Sequence, residues 1–167
     1  AVAQQLYEGI DVGGADGSVG LITYMRTDST TVSKQAQAEA RDYIHQRFGK
    51  DYAPASPPRY TTKARGAQEA HEAIRPTSVM RLPTAIKGKL SRDQVRLYTL
   101  IWERFVASQM ASAVYNTLRV EITAGLTRDD MPYTLRVSGS TVKFAGFMAL
   151  YQDARDEDTA LDEDEGR

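Results

Sequence analysis

The segment Gly20-Leu-Ile-Thr-Tyr-Met-Arg-Thr-Asp-Ser-Thr30 places a tyrosine, an arginine and an aspartate two positions apart. On an extended chain, residues two apart project to the same side. Tyr24 and Arg26 should therefore point together, and Asp28 with them if the extension continues. A phenol is a weak nucleophile while protonated. A neighbouring cation favours the phenolate, and it can also hold a phosphate and stabilise charge in a transition state. Arginine suits phosphate because its planar fork makes two parallel hydrogen bonds. The pair is thus suited to attack on a phosphodiester. The same spacing also arises from a half-buried strand tyrosine beside a solvated arginine, so the pattern alone leaves both readings open.

A second string, Ala67-Gln-Glu-Ala-His-Glu-Ala-Ile-Arg-Pro76, adds a histidine and another arginine. On a helix His71 and Arg75 are four residues apart and share a face, where both could reach a phosphate. His71 could also shuttle a proton near neutral pH. Glu72 lies about 100° further round and fits a structural role. A surface histidine on an amphipathic helix is the bland alternative. Arg59, Lys63 and Arg65 form a basic edge upstream, suited to phosphate contacts or to plain solvation. His45 stands without a second ligand and reads as structural.

The elements that must position these residues follow from breakers and periodicity. Residues 1–8 read as a helix, and Asp11–Gly20, with four glycines, as a turn or flexible loop. Leu21–Met25 suits a short buried strand. Ser33 should cap a helix over about 34–48, stopped by Gly49. Three prolines mark an extended loop over 52–65, and Gly66–Ile74 reads as a short helix ended by Arg75-Pro76. Ser78–Lys89 is mixed, with room for one helical turn. Ser91 and Gln94 fit a capping box ahead of a helix over about 92–111. Its apolar stripe runs through Val95, Tyr98, Ile101, Trp102, Phe105, Val106 and Met110. Beyond Ala113 the apolar residues alternate, which predicts a three-stranded antiparallel meander with turns at 127–130 and 138–140. The fold class expected is α+β: a mainly helical unit over 1–112, strands over 113–152, and an acidic tail or linker over 153–167 that should not order by itself.

Charge narrows the partners. The 167 residues carry a formal charge of −1, but residues 153–167 hold eight acidic and two basic residues, leaving a body of +5. A basic body with an acidic tail admits a nucleic-acid or phosphate partner. There is no cysteine and there are two histidines, which excludes disulfides, thiolate zinc sites and cysteine nucleophiles. No apolar run is long enough for a membrane span and no secretory leader opens the chain. It opens without methionine in what reads as mid-helix sequence, as a piece of something longer would.

Taken together, these strings resemble the type IA family of bacterial DNA topoisomerases. The stretch 20–30 resembles that family's active-site tyrosine motif, and Ala67–Thr77 its second signature. Leu97–Met110 is similar to the helix that follows, and Gln4–Glu8 to the helix leading into the tyrosine segment. The resemblance covers about residues 1–150. It implies that Tyr24 attacks single-stranded DNA to form a 5′-phosphotyrosine, with Arg26 positioning the scissile phosphate. It also implies that His71 contacts DNA phosphate and that Asp28 supports the site. Strand passage before resealing would relax negative supercoils, with no nucleotide cofactor.

The same resemblance implies parts that lie elsewhere. The family's Mg²⁺-binding acids, with a lysine and a glutamate, belong to an N-terminal Toprim domain, so Mg²⁺ is expected to bind outside this chain. Residues 1–112 would be most of a tyrosine-bearing cap, and 113–152 the returning strands of an arch domain. Those strands should expose apolar surface that meets the missing domains, a second copy, or the cap itself. A cytoplasmic, nucleoid-associated setting is implied. The competing function is a non-catalytic module that binds single-stranded DNA or phosphate.

Overall fold

Capping chemistry and apolar spacing set the two longest helices. The computed structural model of the chain describes residues 1–13, 17–60, 71–127 and 129–152. A short helix α1 (Val2–Glu8) buries Leu6 and leads into a two-residue antiparallel pair, β1 (Ile10–Asp11) with β2 (Ser18–Val19). The expected open loop over 11–20 is therefore closed at its base by a small ladder. Helix α2 (Lys34–Arg47) starts where Ser33 Oγ accepts the Ala36 N–H, and it buries Ala36, Ala40 and Ile44. It stops where Gly49 takes φ of 100°, a conformation costly for residues with a Cβ. A single helical turn, α3 (Pro83–Ile86), precedes α4 (Arg92–Gln109). The latter begins with the full Ser91–Gln94 capping box.

Helix α4 supplies most of the core. Tyr98, Trp102, Phe105 and Val106 pack with Leu6, Leu21, Ile22, Ile44 and Val79. The polar ends of its aromatics are satisfied: Trp102 Nε1 donates to Val79 O at 3.0 Å, and Tyr98 donates to Arg81 O at 2.8 Å. Burial pushes the Tyr98 phenol well above its ordinary pKa. No helix among the described residues is long and apolar enough to cross a membrane.

The expected strand over 21–25 is not a member of any regular sheet. Residues 21–23 instead pair antiparallel with 75–77, through an isolated bridge between Ile22 and Pro76. Thr23 N–H donates to Arg75 O (2.9 Å) and Thr77 N–H to Leu21 O (3.0 Å). This pairing also explains why the expected helix over 66–74 does not cover its described part. Residues 71–74 are non-helical because their backbone bonds go to the tyrosine segment. Ala73 N–H donates to Thr31 O, and Ala73 O accepts from Thr23 Oγ1. Residues 66–70 lie outside the described set, as do Lys63, Arg65 and the acidic tail.

Two strands replace the expected three. β3 (Val114–Ala124) pairs antiparallel with one continuous β4 (Tyr133–Phe144), so Ser138-Gly139-Ser140 runs straight through the ladder, Gly139 opposite Leu118. The phase of the alternation does slip between Val137 and Val142, which in sequence imitates a turn. Its physical cause is that Val142 occupies the opposite face, paired with Tyr115 beside a register shift at Val114/Tyr115. One face carries Leu118, Val120, Ile122, Leu135 and Val137, and it is uncovered: Leu118 is 68% and Leu135 59% exposed. The hairpin does not fold back on the helical unit. Among the described residues it is anchored at its base, where the Phe144 ring packs tilted on Tyr52 (4.8 Å) and Phe147 N–H donates to Ala111 O.

Gly20 governs how the tyrosine segment enters the core. Leu21 N–H donates to Leu6 O at 2.7 Å, and a Cβ on Gly20 would lie 2.7 Å from Tyr7 O. That contact is with rigid backbone and cannot be relieved by a rotamer change. Gly20→Ala should cost about 1–3 kcal/mol, the usual penalty for overpacking. Chemical denaturation should show a lower midpoint, and a midpoint equal to wild type would show that the close approach carries no constraint.

Candidate active site

Tyr24 is half exposed, at 51%, immediately after the paired residues 21–23. Its ring stands edge-on to that of Tyr7 from α1, with centroids 5.3 Å apart and planes at 65°. This is a favourable aromatic geometry that limits where the phenol can point. Sequence reasoning missed Tyr7. The resemblance of Gln4–Glu8 to a leading helix was its only signal. No described residue hydrogen-bonds the Tyr24 hydroxyl, which leaves it open to an incoming group. The chain turns tightly at this point, with Arg26 N–H donating to Tyr24 O at 3.0 Å. The guanidinium carbon of Arg26 lies 5.9 Å from the Tyr24 ring centroid, within cation–π range.

His71 arrives from the second string and sits between Arg26 and Asp28. Arg26 Nη1 donates to His71 Nε2 (3.2 Å), and His71 Nδ1 lies 3.4 Å from Asp28 Oδ2. The second contact is an ion-pair distance without hydrogen-bond alignment, since His71 Nδ1 is buried without a hydrogen-bond partner. A ring nitrogen that accepts from arginine carries no proton. The neutral imidazole therefore holds its proton on Nδ1, toward Asp28. Backbone bonds fix the arrangement: Ser29 Oγ donates to His71 O at 2.5 Å and accepts from Thr31 N–H at 3.1 Å. The tyrosine, the arginine, the aspartate and the histidine are thus brought together by pairing of the two strings.

Arg75 goes elsewhere. Because 71–75 is extended, the expected shared helical face with His71 does not exist. The Arg75 fork binds Glu72 twice (Nε to Oε1 3.3 Å, Nη2 to Oε2 2.7 Å) and donates to Pro76 O at 2.9 Å. Glu72 also accepts the Ser33 N–H at 2.7 Å, which ties the second string to the start of α2. Arg59 lies on the exposed edge of the proline loop, with no ion pair to any described residue. Lys63 and Arg65 fall outside the described residues.

Burial by itself would raise the Glu72 pKa, but its bonds from Arg75 and Ser33 outweigh that and hold the carboxyl below its ordinary value of 4.5. A depressed carboxylate pKa gives stability that is fully present above the unfolded value and lost as pH falls through the folded one. Glu72→Gln should therefore destabilise the chain at neutral pH, by an amount that shrinks as the pH drops below about 4.5. Thermal melts across that range test it. A difference constant with pH would exclude the ion pair as the cause.

The chain has relatives. A family profile described as DNA topoisomerase matches residues 1–166. The chain is 49% identical over 166 residues to DNA topoisomerase 1 of Xylella fastidiosa, in strain Temecula1 and again in strain 9a5c. The match covers 99% of this chain and 20% of each relative. Among solved structures it is similar to full-length topoisomerase I from Thermotoga maritima, with a TM-score of 0.71 and 39% identity, over 90% of this chain and 22% of that one. The chain thus spans about a fifth of the length of these relatives. With the profile matched along nearly its whole length, the chain belongs to the DNA topoisomerase family.

Proposed function

We propose that the chain is the tyrosine-bearing part of a type IA DNA topoisomerase, with Tyr24 as its nucleophile. The observation that carries this reading is the half-exposed Tyr24 beside an Arg26–His71–Asp28 cluster built from the two paired strings. The phenolic oxygen attacks the phosphorus of a phosphodiester in single-stranded DNA, and the P–O3′ bond breaks. The phenol proton passes to the departing 3′ oxygen, leaving a 5′-phosphotyrosine and a 3′-hydroxyl. One phosphoester bond replaces another, so resealing is the same exchange in reverse and consumes no nucleotide. Passage of another strand before resealing relaxes negative supercoils.

Arg26 grips the scissile phosphate through the N–H groups it does not give to His71, and it stabilises the charge of the pentacoordinate state. As Arg26 turns to the phosphate, it leaves His71 Nε2, and the histidine stays beside the same phosphate with Asp28 on its other side. Mg²⁺ belongs to the whole enzyme. Asp28 faces His71, and no three His, Asp or Glu side chains gather among the described residues, so these residues do not suit a cation site and no step here runs through one.

The non-catalytic reading is favoured for the chain by itself, because it spans a fifth of its relatives. Alone it should bind single-stranded DNA weakly, in a salt-sensitive way, and relax nothing. The uncovered hairpin face is the surface to meet other parts of a longer polypeptide or a second copy. The setting would be the bacterial cytoplasm, on nucleoid DNA.

The test complements the chain with the remainder of the Xylella enzyme, Mg²⁺ and labelled single-stranded DNA, then looks for a denaturant-stable adduct. The adduct should form with wild type and disappear in Tyr24→Phe. Its survival in that variant would remove Tyr24 from the reaction, and an adduct from the chain alone would refute dependence on the missing parts.

A further inference from the structure

The exposed edge of α2 and the proline loop enclose a groove of about 940 Å³ that the proposed chemistry does not use. Three cations line it, Lys34, Arg41 and Arg59, together with Tyr60, and among the described residues no acidic one does. Its walls are built. Gln37 Nε2 donates to Pro58 O (3.0 Å) and Arg41 Nη1 to Pro54 O (2.6 Å), fastening the proline loop to α2. Lys34 and Arg59 have no ion pair with any described residue, so their charge is available.

Tyr60 is placed as a platform. Its hydroxyl donates to Ser108 O at 2.6 Å and its carbonyl accepts from Thr30 Oγ1 at 3.0 Å, while the residue stays 52% exposed. A ring held at its polar end with much of its surface free loses little entropy when a base stacks on it. The Thr30 bond also locates the groove. Thr30 follows Tyr24 by six residues, a span of at most about 20 Å. An unopposed set of cations around a pinned aromatic is the chemistry that takes a single-stranded nucleic acid: backbone phosphates on the cations, a base on the ring.

We propose that this groove is a second DNA subsite, holding nucleotides of the same single strand that Tyr24 cleaves, a few positions from the scissile phosphate. The inference rests on the reading of Tyr24 as the nucleophile and adds the track that keeps the strand in register. Arg59 is its one member visible in sequence; Lys34, Arg41 and Tyr60 carry no motif.

The test uses the full 167-residue chain and a fluorescent oligo-dT, with anisotropy read across a salt series. The double variant Lys34→Gln/Arg59→Gln should flatten the dependence of log affinity on log salt by about 1.4, the share of two phosphate contacts on a single strand. Tyr60→Ala should weaken binding roughly tenfold, and Tyr60→Phe, which keeps the ring, should restore most of it. Both substituted cations are at the surface, and circular dichroism checks that each variant is folded. An unchanged salt slope together with wild-type affinity in Tyr60→Ala overturns the groove. The adduct assay in the reconstituted enzyme separates the two claims. An adduct that needs Tyr24 alongside an unchanged slope defeats the groove alone. An adduct indifferent to Tyr24 alongside a flattened slope defeats the nucleophile, and with it the groove's role on a cleaved strand.

Discussion

The hydroxyl of Thr23 is the interaction on which the site depends. It donates to Ala73 O at 2.8 Å and accepts from Arg75 N–H at 3.0 Å, so one side chain closes two backbone groups of the second string. With the backbone bonds at Thr23 and Thr77, it seals 20–23 against 73–77 across fifty residues of sequence. Neither segment has enough partners of its own to order in isolation. Leu21 and Ile22, both within 1% of full burial, press the pair onto α4 and supply the apolar drive. Everything placed at the site hangs from this seam: Tyr24 one residue beyond it on one side, His71 two residues beyond Ala73 on the other.

The division of labour among the cations follows from the same seam. Arg75 lies inside it, half-buried, and satisfying its fork there requires Glu72. Arg26 lies outside it, exposed, and its only hydrogen bond to a described side chain is with an imidazole it can leave. Arg75 and Arg26 thus differ in what faces them, not in residue type. The +5 body of the chain has the same logic on a larger scale. Among the described residues, Lys34 and Arg59 have no ion pair and flank a groove lined by no acid, while the acidic residues of 153–167 belong to a different stretch of the chain.

What sequence can and cannot show divides along locality. α2 and α4 were legible because Ser33, Ser91 and Gln94 act on groups three residues away and their apolar stripes are periodic. The proximity of Tyr24 and Arg26 is local too, but it comes from the tight turn closed by Arg26 N–H on Tyr24 O and not from the extended chain that the spacing suggests. The extended form of 71–75 was not, because its alanines and glutamates favour a helix locally and the seam overrides them through bonds to Thr23, Thr31 and Ser29. The single β4 was hidden by a change of face at Ser138–Ser140 that has the composition of a turn. Tyr60 carries no local signal, and Tyr7 only that of the leading helix, because each is placed by a distant group: Ser108 O for Tyr60 and the Tyr24 ring for Tyr7.

The seam at Thr23 places His71 against Arg26 and Asp28. The most direct test is Thr23→Val, which keeps the shape and removes the hydroxyl, with His71 ring nitrogens followed by ¹⁵N NMR. Leaving Ala73 O and Arg75 N–H unpaired should cost about 1–3 kcal/mol per group, so the variant is less stable. While it remains folded, the His71 signals should lose the pattern of an Nε2 acceptor with a protonated Nδ1. A folded Thr23→Val whose His71 resonances match wild type would contradict the account, since the histidine would then be held by something other than the seam.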